Sequence, residues 1–150
     1  MKKIIALIAL AAALLAGVPV GQPFPATTLE DPFGASHTVN TADGMILISF
    51  ERAVSEEVNA FLKAQPKGFL RAHNATYIAD ISAMPKIISK LFALPKMRDY
   101  NYTLLLNYDE AFKKRLDRKE GKLTLYRLKD GNVVALEFIG ADRLAEQFAD

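Results

Sequence analysis

Few residues in this 150-residue chain are of types that do covalent or metal chemistry: a serine at a strand-to-helix turn, two histidines, scattered carboxylates and no cysteine. Ser55 follows the apolar run of residues 45–50 and opens an amphipathic stretch, so a strand passes through a short turn into a helix. A hydroxyl at a helix N-terminus sits in a field that favours an anion, but a serine nucleophile also needs an adjacent base. The two imidazoles, His37 and His73, fall in separate turn-like stretches, and no Gly-x-Ser-x-Gly elbow surrounds Ser55. The pattern therefore predicts a helix N-cap at Ser55, with Glu56 and Glu57 in the first turn complementing the dipole and opposing any bound anion. No residue is assigned a catalytic role.

Asp80 ends a second strand-like run just before a helix. Ligands in α/β sheets gather off the carboxyl ends of strands, which makes Asp80 a cleft candidate. Capping of a helix that begins near Ser82 is its structural alternative. Glu51 and Arg52, directly after Phe50, either line the same cleft or pair on the surface. Two isolated histidines do not make a metal site, and Met84 and Met97 read as core filling. No Gly-rich phosphate fingerprint is present, so no bound cofactor is expected.

The elements that must position these residues follow from periodicity. Residues 26–29 and 36–39 read as two short strands joined by the turn "EDPFG". "MILISF" (45–50) is a continuous apolar run, as a strand buried on both faces should be; "TYIADI" (76–81) reads as a second strand and "YTLLLN" (102–107) as a third buried one. The helix from Ser55 carries Val58, Phe61 and Leu62 on one side and ends near Pro66. Residues 82–95 predict a helix capped by Ser82, with a wide apolar face of Met84, Ile87, Ile88, Leu91 and Phe92, stopped by Pro95. Asp109 caps a short helix holding Phe112 and Leu116. "KLTLYRL" and "NVVALEFI" flank an Asp-Gly pair, a strong hairpin signal. In the second arm Val134, Leu136 and Phe138 share one face. "ADRLAEQF" closes the chain as a helix with Leu144 and Phe148 on one stripe. Strands alternating with helices, then a hairpin and a last helix, predict an α/β sandwich with a mixed sheet.

Bulk properties narrow the function classes. A 51% hydrophobic chain of this length suits one domain with a core. Lys2 and Lys3 precede an apolar run from Ile4 to Ala16, the pattern of a secretory signal peptide. Residues 1–17 are expected to be that leader and 18–150 the exported, periplasmic domain. A retained N-terminal anchor is the alternative, and the leader is then the expected membrane contact. Of 19 basic residues, removing Lys2 and Lys3 leaves 17 against 17 acidic ones. A neutral domain argues against nucleic acid as a partner. Without cysteine there is no disulfide, thiol redox chemistry or thiolate metal site. The mixed run "KKRLDRKEGK" (113–122) reads as a solvated face.

"VGQPFPATTLEDPFGASHTV" resembles the N-terminal segment of redoxins, the thioredoxin-like branch that includes peroxiredoxins and periplasmic thiol oxidoreductases. "MILISFERAVSEEV" resembles the strand and active-site turn that follow, and "LTLYRLKDGNVVALEFIGADRLAEQF" the closing hairpin and helix. The resemblance covers the chain from about Val20 onward. It implies a thioredoxin-like sandwich, a mixed central sheet flanked by helices with an N-terminal β-hairpin extension. It also places the family's nucleophilic cysteine at Ser55, the resolving cysteine at Val58 and the cis-proline at Leu123. All three are replaced, and Val54 and Ser55 stand where a Thr-x-x-Cys pattern would end. The candidate binding cleft is thus Ser55, Val58, Glu51, Asp80 and Leu123, with a protein or small-molecule ligand. The middle of the chain is similar to small exported proteobacterial proteins, some labelled FAD/FMN-containing dehydrogenase. That label makes a flavin-linked oxidoreductase the alternative to a non-redox binding or accessory protein.

Overall fold

The computed structural model describes residues 17–39, 41–42 and 44–149. The expected leader, apart from Gly17, lies outside the described residues. Among the described residues no helix is long and apolar enough to cross a membrane.

In chain order the elements are β1 (Thr28–Glu30), β2 (Ser36–Thr38), β3 (Gly44–Ser49), α1 (Arg52–Lys63), α2 (Phe69–Ala72) and β4 (Ala75–Asp80). A composite helix α3 follows, running α-helical over Lys86–Ile88, π-helical over Ser89–Ala93 and α-helical again over Leu94–Met97. Then come β5 (Leu105–Asn107), α4 (Glu110–Lys114), β6 (Leu123–Lys129), β7 (Asn132–Ile139) and a 3₁₀ helix over Ala141–Phe148. The strands form one seven-stranded sheet in the order β2-β1-β5-β4-β3-β6-β7. β3 pairs in parallel with β4, and β4 with β5. The other pairings are antiparallel, so the sheet is mixed, as the element order predicts.

Alternation along β3 divides the core into two layers. Met45 and Leu47 point to one face, with Val54, Val58 and Leu62 of α1, Leu70 of α2, Leu94 of α3, and Leu144 and Phe148 of the 3₁₀ helix. Ile46 and Ile48 point to the other, with Val18, Phe24, Phe112 and Leu116. Met84 and Met97 pack against the first layer as core filling. The β6–β7 turn has positive φ at both Asp130 (52°) and Gly131 (83°), the backbone that a two-residue type I′ hairpin requires. Asp109 caps α4, accepting a hydrogen bond from the Ala111 amide at 2.9 Å.

Three local expectations change. First, α1 begins at Arg52 with Glu51 as N-cap, so Ser55 is not the cap and Glu56 and Glu57 lie beyond the first turn. Second, Pro95 does not stop α3. A proline inside a helix lacks the N–H for the carbonyl four residues back and crowds it. The π turn over Ser89–Ala93 widens the spacing just before Pro95, and the helix continues to Met97. That helix begins at Lys86 rather than Ser82, which sits in a turn. Its predicted apolar face is turned outward: Ser89 and Leu94 are buried, while Ile87, Ile88, Leu91 and Phe92 are exposed. Third, a bulge shifts the β6–β7 register between Arg127 and Leu128. The extra residue puts Val133 in the same layer as Leu136, and Val134, offset by the bulge, is exposed; beyond it Ile139 is buried and Phe138 is exposed, so only Leu136 of the predicted stripe packs inward.

Candidate functional site

The strand-to-helix turn that opens α1 is built on a line of hydroxyls. Ser55, in the second turn of α1, hydrogen bonds its Oγ to Ser49 Oγ at 2.7 Å. Ser49 Oγ in turn meets the Tyr77 hydroxyl at 2.8 Å. Ser49 closes β3 and Tyr77 lies in β4 on the same face; both are fully buried. Burial pushes the Tyr77 phenol up to about 12, although the hydroxyls of Ser49 and Ser55 pull it down. The line contains no carboxylate, imidazole or amine. A serine is activated by a base of suitable pKa, and a phenol that holds its proton to about 12 is not one. The arrangement orders the helix start and satisfies three polar groups; it does not make Ser55 a nucleophile.

Glu51 closes the same end. Its carboxylate accepts a hydrogen bond from the Gly121 amide at 2.5 Å, tying the start of α1 to the loop before β6. Arg52 pairs with Glu56 one turn on, at 3.0 Å, and not with Glu51. Val58 and Leu123 are both fully buried; Leu123 is the first residue of β6, paired with Ile139. They are core residues and line no open cleft.

Asp80 lies on the other face of the sheet. Ala79 belongs with Tyr77 in the α1 layer, so alternation sends Asp80 the opposite way. Its carboxylate accepts from Asn107 Nδ2 at 2.8 Å and from Ser82 Oγ at 3.1 Å, and Lys113 Nζ lies 3.5 Å away. With only 2% of its side chain exposed, Asp80 joins β4, β5 and α4 in place of capping α3. Lys113, from the mixed-charge run, is thus an internal partner and not part of a solvated face. Of the five cleft candidates, then, Ser55, Val58, Glu51 and Leu123 share one end, with Val58 and Leu123 buried, Ser55 half-buried and Glu51 exposed, while Asp80 is separate.

Open space lies elsewhere. A pocket of about 600 Å³ forms between the β1–β2 hairpin, α2 and the loop before β5. Asp31, His37, Lys67, Arg71, Tyr100 and Tyr102 are among its lining residues. His37 Nε2 meets Asp31 Oδ2 at 2.8 Å, and the Phe33 and Ala35 amides donate to the same carboxylate. Burial raises the Asp31 pKa, but hydrogen bonds from His37, Ala35 and Phe33 outweigh it and hold the group below its ordinary value. Tyr100 and Tyr102 stack at 5.2 Å, with Lys63 Nζ 4.5 Å over the Tyr100 ring. Tyr102 donates to Asn59 of α1, which fixes the pair against the helix. Sequence reasoning missed this pocket. The tyrosine pair in "DYNYT" was its one local signal, and the rest arrives from distant segments.

The histidines stay apart in role. His73 hydrogen bonds the Phe69 carbonyl through Nδ1 at 2.9 Å and packs among Phe69 and Phe148. Among the described residues no group of three or more His, Cys, Asp or Glu is placed to hold a metal ion.

The whole shape can now be set beside known proteins. Peroxidoxin BcpB from Mycobacterium tuberculosis is 16% identical, covers 87% of this chain and 94% of its own, and superposes with a TM-score of 0.58. A cysteine-to-serine mutant of PrxQ from Xylella fastidiosa is 10% identical, with 88% and 93% covered and a TM-score of 0.61. The thioredoxin domain of a thiol-disulfide oxidoreductase from Bacteroides vulgatus is 18% identical, with 89% and 100% covered and a TM-score of 0.54. No protein-family model matches the chain, and neither does any curated protein. The chain has a thioredoxin-like α/β fold, shared mostly with redox proteins. None of these three structures is described as a flavoprotein, and the flavin alternative gains no support from them.

Proposed function

We propose that this protein is an exported, non-redox member of the thioredoxin-like fold that acts by binding a protein or small-molecule ligand outside the cytoplasm. The observation that carries the reading is that the strand-to-helix turn is held by partners within the chain. Ser55 is engaged with Ser49, Glu51 holds Gly121, and Val58 and Leu123 fill the core. With no cysteine in the chain, that end supports neither peroxide reduction nor disulfide exchange. The concave space lies instead at the pocket of Asp31, His37, Arg71 and Tyr100, where aromatic faces and fixed polar groups meet, as ligand sites require.

The test is a photo-crosslinking residue placed at Tyr100 or, as a control, at exposed Glu137 of β7, in protein expressed with its own leader. A discrete adduct at position 100 and none at 137 is expected, in protein recovered outside the cytoplasm and shortened by roughly 16–22 residues. A turnover activity lost in Ser55→Ala with the fold intact overturns the reading. A flavin that survives dialysis does so as well.

A further inference from the structure

Helix α3 hides the wrong residues. Ser89 is fully buried and its hydroxyl donates to the Pro85 carbonyl at 3.4 Å, while Ile87, Ile88, Leu91 and Phe92 stand 66%, 43%, 62% and 65% exposed. Half of the large exposed hydrophobic residues among the described ones, four of eight, lie on this single helix. Scattered apolar residues on a surface are ordinary; a contiguous row is an interaction site. The four residues form one exposed ridge, and none of them lines the Tyr100 pocket.

Charge says what the ridge meets. From residue 81 to residue 98 there is no Asp or Glu, and Lys86, Lys90, Lys96 and Arg98 are interleaved with the apolar row. Lys86, Lys90 and Lys96 are exposed, and neither Lys90 nor Lys96 has an acidic partner among the described residues. Local charge therefore departs sharply from the neutral balance of the domain. A helix with Ile, Leu and Phe along one side and lysines beside them suits the plane of a lipid interface, where apolar groups enter the acyl boundary and ammonium groups meet phosphates. The lysines match anionic headgroups and the apolar row matches the acyl boundary, so one surface satisfies both halves of the helix.

We propose that the outer ridge of α3 docks on the surface of an anionic lipid bilayer. Ile87, Ile88, Leu91 and Phe92 enter the interface, and Lys90 and Lys96 contact headgroup phosphates. The four apolar residues of this contact lie outside both the leader and the Tyr100 pocket, so their burial in lipid is tested independently of the proposed binding function.

The chain contains no tryptophan, which gives a clean probe. In the full chain, Phe92→Trp places a single indole on the ridge, Leu91→Trp is a second such reporter, and Val134→Trp reports from the distant β7 edge. Vesicles of phosphatidylglycerol should shift the emission of the two ridge reporters to the blue and shield them from iodide. Vesicles of phosphatidylcholine should do so only weakly. Adding Lys90→Gln and Lys96→Gln to the Phe92→Trp chain should weaken apparent vesicle affinity by roughly thirtyfold, the effect of two interfacial lysines. Val134→Trp should stay solvent-exposed throughout. The proposal fails if the ridge reporters remain in water at saturating phosphatidylglycerol. It fails if Val134→Trp shifts equally, because the lipid contact is then not confined to the ridge. A blue shift that grows with protein concentration in the absence of lipid assigns the ridge to a second copy of the chain. A shift with soluble polyglutamate but not with vesicles assigns it to an acidic protein. Either result overturns the lipid assignment.

Discussion

Helices α1 and α3 are alike as sequences and opposite in use. Each carries an apolar stripe at helical spacing. α1 turns its stripe inward, with Val54, Val58 and Leu62 buried. α3 buries Ser89 and Leu94 and leaves its larger hydrophobic residues in solvent. The difference comes from what each helix is tied to. α1 is pinned by Ser55 to Ser49, by Glu51 to Gly121 and by Asn59 to Tyr102, three contacts that orient it over the sheet. α3 enters through Pro85, widens into a π turn and passes Pro95, so its rotation is set by backbone constraints as much as by its stripe. Amphipathicity shows that a helix has a face to hide; it does not show that the parent domain provides the hiding place.

The contrast is broken most directly by matched truncations. Leu62→Ala in α1 removes a buried side chain that packs under the sheet and should cost about 2–5 kcal/mol. Leu91→Ala in α3 should change stability by no more than about 0.5 kcal/mol. Urea unfolding of the two variants checks both values. Equal losses would mean that α3 packs on the domain as firmly as α1.

A smaller effect sharpens the account of how α1 is pinned. Tyr77→Phe deletes the hydroxyl at the end of the serine line and should cost about 1 kcal/mol at neutral pH. The phenol also leaves a pH signature. In the unfolded chain Tyr77 releases its proton near the ordinary value of 10.0; in the folded protein burial holds it to about 12. The folded state binds more protons in that window, so stability is full below pH 10 and falls as pH rises from about 10 towards 12. Burial also raises Tyr102 and Tyr126, which act in the same direction. Thermal melts across this range should show the decline, and it should be shallower in Tyr77→Phe.

The smallest effect lies outside both helices and serves as the reference. Asp31 titrates below its ordinary 3.8 in the folded protein, so its contribution is present at neutral pH and is lost as pH falls through that region. His37→Gln should bring the Asp31 titration back towards the ordinary value, visible in the carboxyl chemical shift, while α1 and α3 are unaffected.

The strands were legible because their signals are local. The run 45–50 became β3 at Gly44–Ser49, the Asp-Gly pair became the β6–β7 turn, and Asp109 capped α4. The start of α1 was not, because Ser55 is the residue a cap usually uses, whereas Glu51 caps without a side-chain bond and sends its carboxylate to Gly121, 70 residues away. The cleft suffered for a related reason. Ser55, Glu51 and Leu123 do gather at one end, but which face Asp80 takes depends on strand register, and Tyr77 meets Ser49 across 28 residues. The pocket at Tyr100 joins the hairpin, α2 and the loop before β5, a meeting that only the sheet order creates.

The bulge in β7 bears on how copies of this protein behave when crowded. β7 is the longest strand and forms one rim of the sheet, a template on which another strand can add. Residues 21–24 of the chain already occupy its first part: Gly21 donates to the Val133 carbonyl, and the Val133 amide donates to Gln22. Beyond that point the bulge twists the rim and breaks the regular spacing that fibre growth would copy. A deletion of Val134 that restored a flat register would remove this protection, leaving a long apolar rim open to end-to-end polymerisation.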